Sequence, residues 1–233
     1  MTAPHRFPLG TRSARTRAWA NALFIDHAIF RLVWTNLAPV VPGRIWRSNH
    51  PTPARLSALK HRLGLRTVIN LRGPANNGAD ALSRAAAARL GLDFIDLPMK
   101  SKRAPTRESI VALHHLWQTM QTPALIHCKS GADRAGLVSG IFIIFAGGTP
   151  EDALAQLSLR HGHFAGADTG ILSHFFRAFR DQRTPGQSFI DWATNTYEPD
   201  TLTNSFAAIP HTPLQALQQA SAKFLTNTIL RRE

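Results

Sequence analysis

Ala124-Leu125-Ile126-His127-Cys128-Lys129-Ser130-Gly131-Ala132-Asp133-Arg134-Ala135-Gly136 is the stretch on which the fold turns. Its first four residues are a short apolar run suited to a buried strand, and its centre is a glycine-containing loop. From Arg134 to Ala146 the chain is apolar enough (Ile141, Phe142, Ile143, Ile144, Phe145) for a buried helix ended by Gly147–Gly148. Upstream the same alternation recurs: strands are expected near Arg44–Arg47, Thr67–Leu71, Phe94–Leu97 and Ala124–His127. Between them lie helical patterns at Pro53–Leu63, Ala79–Leu90 and Thr106–Thr119, the last with Thr106 as N-cap after Pro105. That order predicts an α/β domain with a largely parallel sheet, whose ligands bind beyond the carboxyl ends of the strands.

Within the loop, His127, Cys128, Gly131, Arg134 and Gly136 spell HCxxGxxRxG. Given the one cysteine, the other four fall into place by chance roughly two times in a hundred thousand at this composition, so a buried filler role for Cys128 is the weaker reading. A loop closing into a helix N-terminus turns successive backbone N–H groups inward, a nest for phosphate that the helix dipole also favours. The backbone of Lys129, Ser130, Gly131, Ala132, Asp133 and Arg134 is the expected phosphate-binding element. Cys128 lies at its floor, where the same field stabilises a thiolate, so the nucleophile needs no separate base. Arg134 can fork two hydrogen bonds onto phosphoryl oxygens, and Gly131 lets the backbone approach where a Cβ would intrude.

The remaining composition narrows the classes. The chain has 233 residues and 44% hydrophobic ones, enough for a self-sufficient core, and one cysteine, which allows neither an internal disulfide nor paired zinc ligands. No metal or cofactor is expected. Nothing asks for an oxidising compartment, so a cytoplasmic location is expected. Lys and Arg number 27 against 14 Asp and Glu, and only five of the cations are lysine. Anionic partners follow, with nucleic acid disfavoured because the arginines are scattered and lack interleaved aromatics.

Arg6, Arg12, Arg15 and Arg17 precede an apolar-rich stretch from Trp19 to Trp34 in which Trp19, Leu23, Phe30 and Trp34 recur at helical spacing. Asp26, His27 and Arg31 make it too polar to span a bilayer. An amphipathic helix packed on the domain is expected, with a peripheral contact to an anionic membrane as the alternative. Residues 1–43 are read as this basic extension, 44–165 as the catalytic domain and 166–233 as a C-terminal helical extension, with helices at Gly170–Arg180 and Pro213–Leu230.

The Cys-x5-Arg loop resembles that of the cysteine-dependent protein tyrosine phosphatase superfamily. Arg47-Ser48-Asn49-His50-Pro51, Thr67-Val68-Ile69-Asn70-Leu71-Arg72-Gly73 and Phe94-Ile95-Asp96-Leu97-Pro98 look like its small bacterial and atypical dual-specificity members. The resemblance covers roughly residues 44–160. It implies a three-layer α/β fold, a central mostly parallel sheet flanked by helices, with extra helices at both termini. It also implies metal-free hydrolysis of a phosphomonoester through a cysteinyl-phosphate.

Two positions depart from that pattern. Members usually carry Ser or Thr after the arginine to help the thiolate leave in the second step; here the residue is Ala135. Many place an acid on a loop some thirty residues before the cysteine, but here that loop, residues 99–105, is basic. Asp133, placed as in the phosphoinositide-cleaving branches and lipid-active bacterial members, and Asp96 remain as catalytic acid candidates; Glu108 fits a helix-dipole role. His127 reads as a brace for the loop. Arg72, Lys100, Lys102 and Arg103, together with Lys129, form a rim suited to a polyanion. The expected substrate is therefore a phosphoprotein, inositol phosphate or phospholipid head group, with a low-turnover phosphate-binding or membrane-docking module as the reading from another class.

Overall fold

A computed structural model describes residues 7–22, 34–166 and 168–209. The chain divides into two units, Met1–Pro98 with Gln121–Gly131, and Met99–Met120 with Ala132–Glu233. The expected helix at Pro213–Leu230, and Leu23 and Phe30 of the N-terminal stretch, lie outside the described residues.

The first unit holds a five-stranded sheet: β1 (Ala38–Val41), β2 (Ile45–Ser48), β3 (Thr67–Asn70), β4 (Asp93–Asp96) and β5 (Ala124–His127), in the order β1-β2-β5-β3-β4. All neighbours run parallel except β1, which pairs antiparallel with β2. Every residue of β3 and β5 is buried, as expected of central parallel strands covered on both faces. Trp46, Leu125, Val68 and Phe94 share one face. On that face they pack with Leu56 and Leu59 of α2 (Pro53–Leu63) and Ala86 and Ala87 of α3 (Gly78–Arg89).

Helix α1 (Arg12–Ala20) starts earlier than the sequence pattern suggested and is capped by Thr11, whose hydroxyl accepts from Ala14 N–H. It buries small residues: Ala18 and Ala22 meet Ala79 and Leu82 of α3. Gly78 permits the approach, since a Cβ there would lie 2.1 Å from the Ala18 carbonyl oxygen. Both α1 and β1 fall in the stretch read as an N-terminal extension, which thus supplies the sheet with its antiparallel edge.

The second unit is helical. It contains α4 (Arg107–Thr119), α5 (Asp133–Phe145), α6 (Pro150–Ala155), α7 (Ile171–Gln182), α8 (Phe189–Asn195) and α9 (Pro199–Ala207). Thr106 caps α4 as expected, accepting from Ser109 N–H at 3.2 Å. Helix α5 is buried from Ala135 to Phe142 and closes on Gly147, whose φ of 92° no ordinary side chain favours. Against α5 lies α7, admitted by Gly140, where a Cβ would stand 2.5 Å from the Phe176 ring. Phe175 and Phe179 of α7 meet Phe189 and Trp192 of α8, and Tyr197 stacks near Trp192 at 4.9 Å. Phe189, Trp192 and Tyr197 are therefore core residues. No helix among the described residues is long and apolar enough to cross a membrane.

Candidate active site

The register of the parallel strands sets Ser48, His127, Asn70 and Asp96 abreast at the carboxyl edge of the sheet. Cys128 follows at once, 1% exposed, and its Sγ accepts the Gly131 N–H at 3.2 Å. The three carbonyls that follow are drawn outward. The His50 backbone N–H donates to Lys129 O (3.3 Å), the Asn36 amide to Ser130 O (3.2 Å), and the buried Arg47 guanidinium to Gly131 O (2.6 Å). In a planar trans peptide the N–H opposes the C=O, so fixing these oxygens on the outer side turns the N–H groups of Ser130, Gly131 and Ala132 inward.

Gly131 sits at φ +76°, and a Cβ there would lie 2.7 Å from the Asn49 nitrogen and 2.8 Å from the Ser48 carbonyl carbon. Both obstacles are backbone and cannot swing aside. Gly131→Ala is expected to introduce about 1–3 kcal/mol of local strain and to open the nest. Calorimetry with inorganic phosphate checks this: binding should be lost, with a lowered Tm, and unchanged affinity would refute it.

His127 is fully buried, its ring edge-on to His50 at 4.7 Å and to Phe94 at 6.3 Å, while its carbonyl accepts from Leu71 N–H. Asn70 organises the turn after β3: its amide donates to Gly73 O (2.8 Å), Asp96 Oδ1 (2.9 Å) and Asp80 Oδ1 (3.3 Å), and its oxygen accepts from Arg72 N–H. The Arg72 guanidinium lies 3.5 Å from His50 Nδ1. Asp96 is bound into this turn, since Arg84 donates to its Oδ1 at 2.6 Å while also pairing with Asp80. Arg55, whose burial lowers its pKa to about 10, donates to Asn49 Oδ1 and Thr35 O and so fastens the segment carrying Asn36.

The loop passes from the first unit to the second between Gly131 and Ala132. In the second unit Asp133, Arg134 and Ala135 open α5, and the residue before them, Ala132, offers no side-chain cap. N–H groups at the first turn of a helix are the kind that bind anions. Asp133 is buried, its Oδ1 2.9 Å from His163 Nδ1, and His163 Nε2 is 3.2 Å from Ser173 Oγ. Arg134 is half-buried and makes no hydrogen bond or ion pair among the described residues. Ala135 is fully buried. Lys100 and Arg103 are exposed, whereas Lys102 lies 3.5 Å from Asp168 in an exposed ion pair. Glu108 is exposed, and hydrogen bonds from its own backbone N–H and from Thr106 hold its carboxyl below the usual range, the opposite of what a general acid requires. The loop presents N–H donors and a guanidinium, a donor set for anions and not for a metal ion.

Sequence reasoning missed Asn36 and His163, and saw Arg47 only within a motif. Each acts across more than 25 residues of sequence, where no local pattern exists.

The fold is that of the cysteine-dependent phosphatases. A crystal structure of TpbA from Pseudomonas aeruginosa superposes with a TM-score of 0.51 at 21% identity, covering 74% of this chain and 91% of the other. The structure of TpbA in complex with pTyr gives 0.50 at 20% identity, over 75% and 92%. The chain belongs to the family described as PTP-SAK, Swiss Army Knife protein, DSP-PTPase phosphatase domain, whose model matches residues 35–185. It is 28% identical over 159 residues to the dual specificity protein phosphatase TpbA of Pseudomonas aeruginosa, a match covering 68% of this chain and 65% of that relative, a little under two thirds of its length.

Proposed function

We propose that this protein is a dual-specificity-type phosphomonoester hydrolase working through a cysteinyl-phosphate, with Cys128 as nucleophile and Arg134 as phosphoryl ligand. The observation that carries the reading is the outward fastening of the Lys129, Ser130 and Gly131 carbonyls above a buried thiol that accepts an N–H. Ties within the protein thus hold the cradle's shape, which keeps reorganisation of its donors in the transition state small.

In the first step the Cys128 sulfur forms the S–P bond, the P–O bond breaks, and the leaving oxygen takes a proton. We assign that proton to Asp133, which lies in the loop directly before Arg134, whereas Asp96 Oδ1 accepts from both Arg84 and Asn70 in the turn after β3. In the second step water forms the new P–O bond, the S–P bond breaks, and Asp133 recovers its proton. Ala135 brings no hydroxyl to the departing thiolate. Arg134 and the loop N–H groups hold the equatorial oxygens throughout.

The exposed Lys100 and Arg103, with Lys129 and Arg72, support a polyanionic substrate, an inositol phosphate or phospholipid head group, in preference to a lone phosphotyrosine. Helix α1 adds exposed Arg12, Arg15 and Arg17 beside a Trp19 that is 37% exposed, which supports peripheral contact with an anionic membrane. The test is kcat/KM for a phosphotyrosyl peptide, inositol polyphosphates and phosphoinositides in anionic vesicles. A polyanion should lead by about tenfold or more at low salt and lose that lead as salt rises. A phosphopeptide that leads at every ionic strength overturns the substrate reading and leaves the chemistry standing.

A further inference from the structure

His163 lies thirty residues beyond Asp133 and outside the Cys128–Arg134 loop motif, yet its side chain is fully buried against the carboxyl that precedes Arg134. Its Nδ1 lies 2.9 Å from Asp133 Oδ1 and its Nε2 3.2 Å from Ser173 Oγ. The bond order Ser–His–Asp is that of a hydrolase triad, but Ser173 is 2% exposed inside α7 and no substrate reaches its hydroxyl. The chain of bonds therefore ends in the protein, and its working end is Asp133.

We infer that His163 is a positioning residue for the proton donor Asp133, holding its Oδ1 and with it the orientation of the carboxyl that passes a proton to the leaving group. The inference rests on the proposed phosphatase chemistry. Once Asp133 has given up its proton its carboxylate only accepts, so Nδ1 then carries the hydrogen toward it and Nε2 accepts from the Ser173 hydroxyl. As the proton leaves Asp133 the same bond becomes charge-assisted and shortens, so it is stronger in the transition state than before it. Burial sharpens the difference, because the imidazole stands in for water that cannot reach this oxygen. Anchoring by a third group is also what an acid at the first turn of α5 needs, since the Ala132 cap position supplies no side chain to fix that turn.

The experiment compares an aryl phosphate, whose phenolate departs unaided, with an alkyl phosphate, whose alkoxide needs the proton. His163→Gln places its amide where Nε2 was and loses the donor to Asp133; His163→Asn places its amide near Nδ1 and keeps it. His163→Gln should cost about 10²-fold on the alkyl ester and no more than about fivefold on the aryl ester. His163→Asn should recover the alkyl activity to within about fivefold of wild type. Asp133→Asn should lower alkyl turnover by about 10²–10⁴-fold, and adding His163→Gln to it should cost nothing further on that ester. Ser173→Ala, which removes only the distant partner, controls for disturbance of a buried polar chain, and Tm of each variant reports folding.

Equal losses on both esters, or a full additional loss in the double variant, would show that His163 serves the fold and would overturn the inference while leaving Cys128 chemistry intact. Failure of the wild type to hydrolyse either ester brings down the phosphatase reading itself, a result separate from any pattern among the variants.

Discussion

Cys128→Ser hydrolyses an aryl phosphate no faster than the assay background, yet still binds inorganic phosphate with affinity close to that of wild type. The expectation follows from what surrounds the sulfur. Its one hydrogen-bond partner among the described residues is the Gly131 N–H, a donor that can stabilise a thiolate and cannot accept a proton. A serine hydroxyl at this place has no base to activate it, and an alcohol stays protonated at neutral pH. The nest, by contrast, is held by Asn36, Arg47 and the His50 backbone, none of which the substitution touches. Stopped turnover with retained binding, measured by calorimetry, is the signature. Residual hydrolysis beyond background would remove Cys128 from the mechanism, and lost binding would mean that the thiol supports the loop's shape.

Arg134→Lys should lower kcat/KM by about 10³-fold or more. The guanidinium is half-buried at the head of α5 and uncommitted among the described residues, so its five donors are available to a ligand. A lysine keeps the charge and loses the fork, and with it the pair of parallel hydrogen bonds that follows two phosphoryl oxygens as charge shifts between them. The loss should be dominated by kcat, because a point charge still attracts a dianion. A variant with wild-type kcat and only a raised KM would show that Arg134 gathers substrate without stabilising its reaction.

The strands and helices that build the sheet were legible because each carries a local period or a local cap: the buried runs of β3 and β5, the Thr106 cap, the glycine stop after α5. The loop from Cys128 to Arg134 was legible because its chemistry is written in consecutive residues. Strand β1 was not. It is four residues long, contains Pro39, and sits at the antiparallel edge, where a proline's missing N–H costs no ladder bond. The pairing of Lys102 with Asp168 was invisible for a different reason, since the two lie on separate segments and an exposed pair imposes no pattern on either. The same holds for Asp96, whose spacing suggested an acid and whose neighbours Asn70 and Arg84 show a structural tie. Its role in the turn could be recognised only once β3, β4 and α3 had been brought together.

The outward-held carbonyls also bear on how the molecule comes into being. Asn36 and Arg47 reach Ser130 and Gly131 across 94 and 84 residues of chain. Contacts of that separation form late, after the entropy of closing a long loop has been overcome. A nascent chain is therefore expected to carry Cys128 for a time in a loop that these two ties do not yet shape. The proposed nucleophile and the ties that shape its cradle are therefore expected to come together only when β5 takes its place between β2 and β3, so formation of the sheet is a precondition of activity.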